Sequence, residues 1–306
     1  MWRPARAVEI VAGTLPGGGL DRSARALAAA SAAGRVVDVP VSVVNIGGDG
    51  GRKAWSHVDR FPGDGHVVAI SSPNMIADYL TGVTDQDPGR FTPLAILYSE
   101  YIAFVVRSDS AVRAATDLLQ RLACDAGSVT IALSTSLGNS NHVAVAKVVR
   151  YAGADTARPP IRVFDTALDA VADLMAGRAL LGAITAASPV PELAAGTLRA
   201  LAVSAPERLG GPYADVPTWT EQGVDCVIGS WRGISGPPAL SSEVVAFWRE
   251  VLADATHTPE WRGALARHFW TGMYLDGDAL HAYLSRERTD MRGVLAELGL
   301  LGGRAG

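Results

Sequence analysis

Lysine is scarce: Lys53 and Lys147 are the only two in 306 residues, which leaves few candidates for a Schiff base. Cysteine is equally scarce, and Cys124 and Cys226 are too few for a disulfide scaffold. They lack CxxC spacing and nearby metal ligands, so they read as two small buried hydrophobes or as one long-range disulfide. No apolar run approaches the roughly 20 residues that span a bilayer, which excludes a membrane-spanning helix. Neither sign of charge dominates: Lys+Arg 27 against Asp+Glu 31 gives −4. Nothing electrostatic therefore draws the chain to nucleic acid or anionic lipid.

Catalytic signatures are missing too. The histidines at 57, 66, 142, 257, 268 and 281 have no ligand spacing, and there is no HExxH or Cys/His cluster, so no metal is expected. The phosphate loop GxxxxGK[ST] is absent, and Gly48-Asp49-Gly50-Gly51 does not complete GxGxxG. Ser140 stands in Gly-Asn-Ser-Asn-His rather than GxSxG, with His142 only two residues away, so it does not read as a nucleophile elbow. No cofactor is expected.

What the chain does have is apolar residues (48% against 19% charged) and 33 glycines, several clustered where strands should end. Its length suits about two domains with a large core. Short β-rich runs alternate with helical patterns. Ala7–Ala12, Val41–Asn45, Val67–Ser71, Leu94–Tyr98 and Tyr101–Arg107 read as strands. Leu20, Ala24, Leu27 and Ala28 repeat at helical spacing, Pro73 suits a first helical turn, and a helix is expected from about Ser110 to Ala123, capped by Ser108 or Ser110. Val129–Leu133, Ile161–Phe164, Leu180–Ile184 and Leu198–Val203 continue the strands, with helices between them. After Trp231-Arg232-Gly233 only helices are expected: Ser241–Ala255, Pro259–Phe269 and Asp278–Leu298. Such alternation predicts an α/β fold of mostly parallel sheets covered on both faces. Two glycine-bearing polar βα turns, near residues 15 and 137, are what two similar lobes would produce.

Those turns carry the candidate chemistry. Thr14-Leu15-Pro16-Gly17-Gly18-Gly19-Leu20-Asp21 lies between a strand and a helix. Glycines allow a sharp turn, and the helix start offers free N–H groups and a positive dipole end, so the segment reads as an anion site or as an ordinary glycine-rich turn. Ser134 through His142 is denser in function: seven of nine residues bear hydroxyl, amide or imidazole groups, where capping needs one. Thr135, Ser136, Gly138, Asn139 and His142 are therefore candidates together with Ser134. Ser72 and Asn74, then Asp165 and Thr166, then Thr185 mark three more polar strand ends, and ligands of open α/β sheets lie beyond such ends. Asp165 and Thr166 read equally as an N-cap pair. The tryptophans at 55, 219, 231, 248, 261 and 270 read as core or lobe-interface residues, with Trp231 partly exposed near a hinge.

Together these segments resemble the substrate-binding proteins of tripartite tricarboxylate transporters, the TctC or Bug family. The likeness runs from Pro16-Gly17-Gly18-Gly19-Leu20-Asp21-Arg22-Ser23-Ala24-Arg25 through Val44-Asn45, Gly63-Asp64-Gly65 and Ser134–His142. It continues through Leu198–Val203 and Val216-Pro217-Thr218-Trp219-Thr220-Glu221-Gln222-Gly223 to Trp231-Arg232-Gly233-Ile234 and Pro237-Pro238. It implies a two-lobed, periplasmic-binding-protein-like (type II, Venus-flytrap) fold with a small carboxylate held between the lobes. Lobe 1 is expected over 1–106 plus 230–306 and lobe 2 over 107–229. The resemblance carries ligand contacts over to Thr14, Pro16, Gly17 and Gly18, and to Ser134, Ser136, Gly138 and Asn139. Asp21 then orients the loop or meets a ligand donor.

It also implies a non-enzymatic, monomeric receptor that delivers a dicarboxylate, tricarboxylate, aromatic acid or amino acid to membrane permease subunits. Phe164-Asp165-Thr166 stands where many members have Tyr-Lys-Gly, and the charge of Asp165 points toward an amine-bearing or hydroxylated acid. Met1-Trp2-Arg3-Pro4 runs almost directly into a strand, so the chain reads as cytosolic or as a mature domain without its export signal. The resemblance favours an extracytoplasmic place, periplasmic or membrane-tethered. An α/β enzyme acting on a small acid and a ligand-sensing module remain the alternatives.

Overall fold

A computed structural model describes residues 2–34 and 37–302, so Met1 lies outside the described residues. The elements run β1 (Val8–Ala12), α1 (Gly19–Gly34), β2 (Val41–Asn45), α2 (Arg52–Val58), β3 (Val67–Ser71), α3 (Asn74–Leu80) and β4 (Thr92–Arg107). Then follow α4 (Ala115–Asp125), β5 (Ile131–Ser134), α5 (Ser140–Tyr151), β6 (Ile161–Phe164), α6 (Ala167–Met175), β7 (Leu181–Thr185), α7 (Val190–Ala194) and β8 (Leu198–Val203). The chain closes with β9 (Gly229–Gly236), α8 (Ser242–Thr256), α9 (Pro259–His268), β10 (Thr271–Leu275) and α10 (Gly277–Glu297). Among the described residues two compact units result: 2–34 and 37–99 with 231–293 and 302, and 100–230 with 294–301. The fold is the α/β periplasmic-binding-protein type.

In the first unit β1 is flanked by β2 and β3, both parallel to it, and β9 runs antiparallel to β3. Side chains alternate between the two faces of β1, as the pleat requires. Val8, Ile10 and Ala12 meet Leu27 of α1, Trp248 of α8 and Trp261 of α9. Val11 points the other way, toward Trp55 and Val58 of α2. In the second unit β5 lies between parallel β6 and β7, and β4 runs antiparallel to both β7 and β8. Its core joins Phe104, Leu118, Leu133, Val145 and Trp219. Each parallel trio therefore presents its strand C-termini on one edge. Among the described residues no helix is long and apolar enough to cross a membrane.

Several elements differ from the sequence reading. The two strands expected at Leu94–Tyr98 and Tyr101–Arg107 are one, because Ser99 and Glu100 stay buried and in register rather than turning. The helix expected from Ser110 begins at Ala115. The Asp117 carboxylate accepts from the N–H groups of Arg113 and Ala114 and sets the start there. β9 and β10 fall where only helices were expected. β9 carries no alternating apolar signal; Gly233 is there because a Cβ would lie 2.5 Å from the Ala95 carbonyl oxygen. Trp231 is buried rather than partly exposed.

Both cysteines are free, which removes the disulfide alternative. Cys226 is buried against the Ala144 carbonyl, and burial pushes its thiol up to about 12. Cys124 is exposed on α4 and so is not the buried hydrophobe expected.

One buried charge holds the second unit's sheet to α6. Asp173 accepts two bonds from Arg162 at 2.9 Å each and one from Arg178 at 2.6 Å. Burial would raise this carboxyl, but the two guanidinium groups outweigh it and hold it below the ordinary carboxylate value. Both arginines are half-exposed, which moderates the cost of losing the acid. Asp173→Ala is expected to cost about 2 kcal/mol in urea unfolding. The stabilisation is complete above the unfolded carboxylate value and is lost as pH falls through the lowered folded one.

Candidate functional site

The first unit's polar loop joins β1 to α1. Gly17 takes φ +85°, a turn that favours glycine, and a Cβ on Gly18 would lie 2.7 Å from the Thr14 side chain. The loop is braced from beneath by Asp21, only 2% exposed. Its carboxylate accepts from the Gly17 N–H at 2.8 Å, from Arg25 Nε at 3.0 Å and from Asn45 Nδ2 at 2.9 Å. Asn45 also donates to the Thr14 carbonyl at 3.0 Å, and Thr14 Oγ1 accepts from the Asp21 N–H. Burial would raise the Asp21 carboxyl; the bonds from Arg25, Gly17 and Asn45 prevail and lower it. Asp21 thus orients the loop, and none of its geometry calls for a ligand donor.

This bracing uses up two amides counted as anion donors. The Gly17 N–H goes to Asp21, and the Gly18 N–H goes to the Leu15 carbonyl at 3.1 Å. In this loop the N–H groups of Thr14, Leu15, Gly19 and Leu20 have no acceptor among the described residues. The last two are the opening of α1, a 16-residue helix whose dipole favours an anion there. Ser72 and Asn74, beyond the end of neighbouring β3, share a cavity of about 20 Å³ with Leu20. Pro16 is exposed at the tip. Leu15 beside it is 63% exposed.

The second unit repeats the plan with different braces. Thr135 takes φ +77°, costly for a β-branched residue, and its N–H donates to the Phe164 carbonyl at 2.7 Å. Asn139 caps α5, accepting from the His142 N–H and donating to the Ser134 carbonyl. The Gly138 N–H donates to His142 Nδ1 at 3.0 Å, and Asn141 donates to Ser134 Oγ at 3.0 Å. His142 is therefore the neutral tautomer protonated at Nε2, and burial lowers its pKa. Asn139, His142 and Gly138 thus hold the loop in shape.

What remains unspent is informative. The N–H groups of Leu137, Asn139, Ser140 and Asn141 have no acceptor among the described residues. Ser136 Oγ is buried with no partner among the described residues, and Ser136 is 9% exposed. Leu137 at the tip is 41% exposed. Thr185, at the end of β7, is within 3.1 Å of Ser188 Oγ. Asp165 is exposed, and Thr166 caps α6 by accepting from the Asp169 N–H, so the capping alternative accounts for its hydroxyl. Ser134 and Thr185 end β5 and β7, and Asp165 follows the end of β6, so the three lie at one edge of the parallel trio.

Sequence reasoning passed over Asn45, Arg25 and Ser140 as site residues. Asn45 was within reach: it ends β2 beside a glycine cluster, the same signal that selected Thr14 and Ser72. The role of Arg25 follows from its place one helical turn after Asp21. Among the described residues no three His, Cys, Asp or Glu side chains are grouped to hold a metal ion.

A family model described as the tripartite tricarboxylate transporter family receptor, TctC, matches residues 24–300. The chain belongs to this family. The match begins at Ala24, so the reading of the first loop rests on its own geometry. A curated relative, the UPF0065 protein of the tcbD-tcbE intergenic region in Pseudomonas sp. (strain P51), is 29% identical over 263 residues. That alignment covers 84% of this chain and 76% of the relative. The crystal structure of a TctC solute-binding protein from Polaromonas is 26% identical with a TM-score of 0.70, covering 96% of this chain and 99% of that one. The structure of Rpa4515 of R. palustris with adipate has a TM-score of 0.85 at 23% identity, over 97% of this chain and 98% of that one, and shows likeness of fold.

The neutral His142 has a measurable consequence for this TctC receptor. Its bond from Gly138 requires an unprotonated Nδ1, and its folded pKa lies below the ordinary histidine value. Its contribution is therefore complete above about pH 6.5 and is lost as pH falls toward the lowered folded value. Melting temperature between pH 8 and 5 should fall more steeply in the natural protein than in His142→Gln. Parallel curves would show that His142 does not titrate with the loop.

Proposed function

We propose that this receptor captures a small carboxylate outside the cytoplasm, as a monomer and without chemical turnover, and presents it to the permease subunits of a tripartite transporter. In this reading the ligand's carboxylate is held by unspent loop donors. Supporting it are family membership and, above all, the buried unpartnered hydroxyl of Ser136. An orphaned buried hydroxyl costs stability unless a guest completes it. Hydrogen bonds from such donors to a carboxylate contribute about 1.5–3 kcal/mol each, against the roughly 8 kcal/mol of micromolar affinity before ordering costs.

Ligand class follows from what surrounds those donors. Leu15 and Leu137 expose apolar surface at the two loop tips, which favours an acid with an aliphatic or aromatic body. The adipate-bound relative fits that chemistry. Asp165, exposed and without a partner among the described residues, favours an amine or hydroxyl on the same ligand. A thermal-shift panel of aliphatic dicarboxylates, tricarboxylates, aromatic acids and amino acids tests the reading. At least one acid should raise the melting temperature progressively with its excess. No shift with any acid at millimolar concentration would overturn the receptor reading, and turnover of one would replace it with the enzyme reading.

A further inference from the structure

We propose a second small-molecule site inside the first unit, separate from both loops, that takes an uncharged aromatic compound bearing one or two hydrogen-bonding oxygens. A cavity of about 340 Å³ lies there among β3, α3, β4, β9 and α10. Its deep wall is apolar, built from Ile76, Phe91, Ile96, Trp231 and Leu280, all buried. A dry apolar cavity of about 150 Å³ is enough to bind benzene, so this volume suits two fused rings.

Two hydroxyls make it more than a void. Ser71 and Ser235 line the cavity and are only 3% and 6% exposed. Neither side chain has a hydrogen-bond partner among the described residues. They occupy the same face of the sheet, because the register sets Ser71 opposite Gly233 and residues two apart share a face. Buried hydroxyls in an apolar wall normally find partners within the protein. Here both open toward one cavity, where a guest oxygen completes them.

Charge at the rim selects against ions. Arg288 stacks over Tyr79, 5.1 Å from the ring centroid, and is paired with Asp87 at 3.2 Å. The Glu287 side chain meets Trp231 of that wall and burial raises its carboxyl, so a carboxylate guest would lose its water for two neutral hydroxyls and an acidic neighbour. A phenol or fused-ring alcohol loses little and gains the apolar wall.

The test uses 1-naphthol and the whole protein, with binding followed by calorimetry and by saturation-transfer NMR. One molecule per chain is expected to bind. Ser235→Ala should weaken it about three- to tenfold, the worth of one neutral hydrogen bond. Ser285→Trp, which fills the exposed rim from α10, should abolish it, and a circular-dichroism melt checks that the variant is folded. Ser136→Ala should leave naphthol binding unchanged. Absence of saturable binding, or equal affinity in the natural protein and Ser235→Ala, overturns the proposal. The Ser235→Ala result decides the matter even where Ser285→Trp fails to fold.

Discussion

Asp21→Ala is expected to lower the melting temperature by about 6 °C or more and to weaken carboxylate binding about a hundredfold. Asp21 is nearly inaccessible, and its carboxylate holds Gly17, Arg25 and Asn45 at once. Removing it leaves the Gly17 N–H, the half-buried Asn45 amide and the Arg25 guanidinium without their shared carboxylate. The loss is about 3 kcal/mol, and in a chain of this size each kcal/mol moves the midpoint by about 2–4 °C. The affinity falls for a different reason. The loop presents the first amides of α1, and two charge-assisted bonds lost with them are worth about two decades. Asp21→Asn separates the contributions: it keeps the size and part of the bonding and gives up the charge facing Arg25. Scanning calorimetry and titration of the best acid from the panel measure both effects. An Asp21→Ala protein with unchanged midpoint and affinity would remove the brace from the argument.

Ser136→Ala should behave in the opposite way toward stability. Affinity for the carboxylate is expected to drop about 10- to 100-fold, the range of one hydrogen bond to a charged acceptor. The melting temperature without ligand should stay level or rise slightly, because the variant removes a buried hydroxyl that has no protein partner. No purely structural role produces that pair of results. A fall in ligand-free stability with unchanged affinity would show that Ser136 serves the loop rather than the guest.

The two loops also explain how far a reading of residues can go. Alternating β-rich runs and helical spacing marked β1, β2, β3, β5, β6, β7 and β8, since apolar periodicity is local and each of these strands carries it. The polar strand ends were equally visible, and the parallel trios bring Thr14 beside Ser72, and Ser134 beside Asp165 and Thr185. β9 escaped notice because a strand packed as tightly as Gly233 against Ala95 trades its apolar signal for glycine. β4 was divided in two because Ser99 and Glu100 look like a turn unless their burial is known.

Residue order was sufficient for the α/β class, the family likeness and the positions of two polar turns, all of which depend on neighbours a few places apart. Folding was needed to settle which donors stay available. The amides of Gly17, Gly18 and Gly138 look free in the chain and are consumed by Asp21, Leu15 and His142, while the Ser136 hydroxyl and the opening amides of α1 and α5 have no acceptor or partner among the described residues. A hydrogen bond is exclusive, and whether an N–H is already engaged depends on groups that only the folded chain brings within 3 Å.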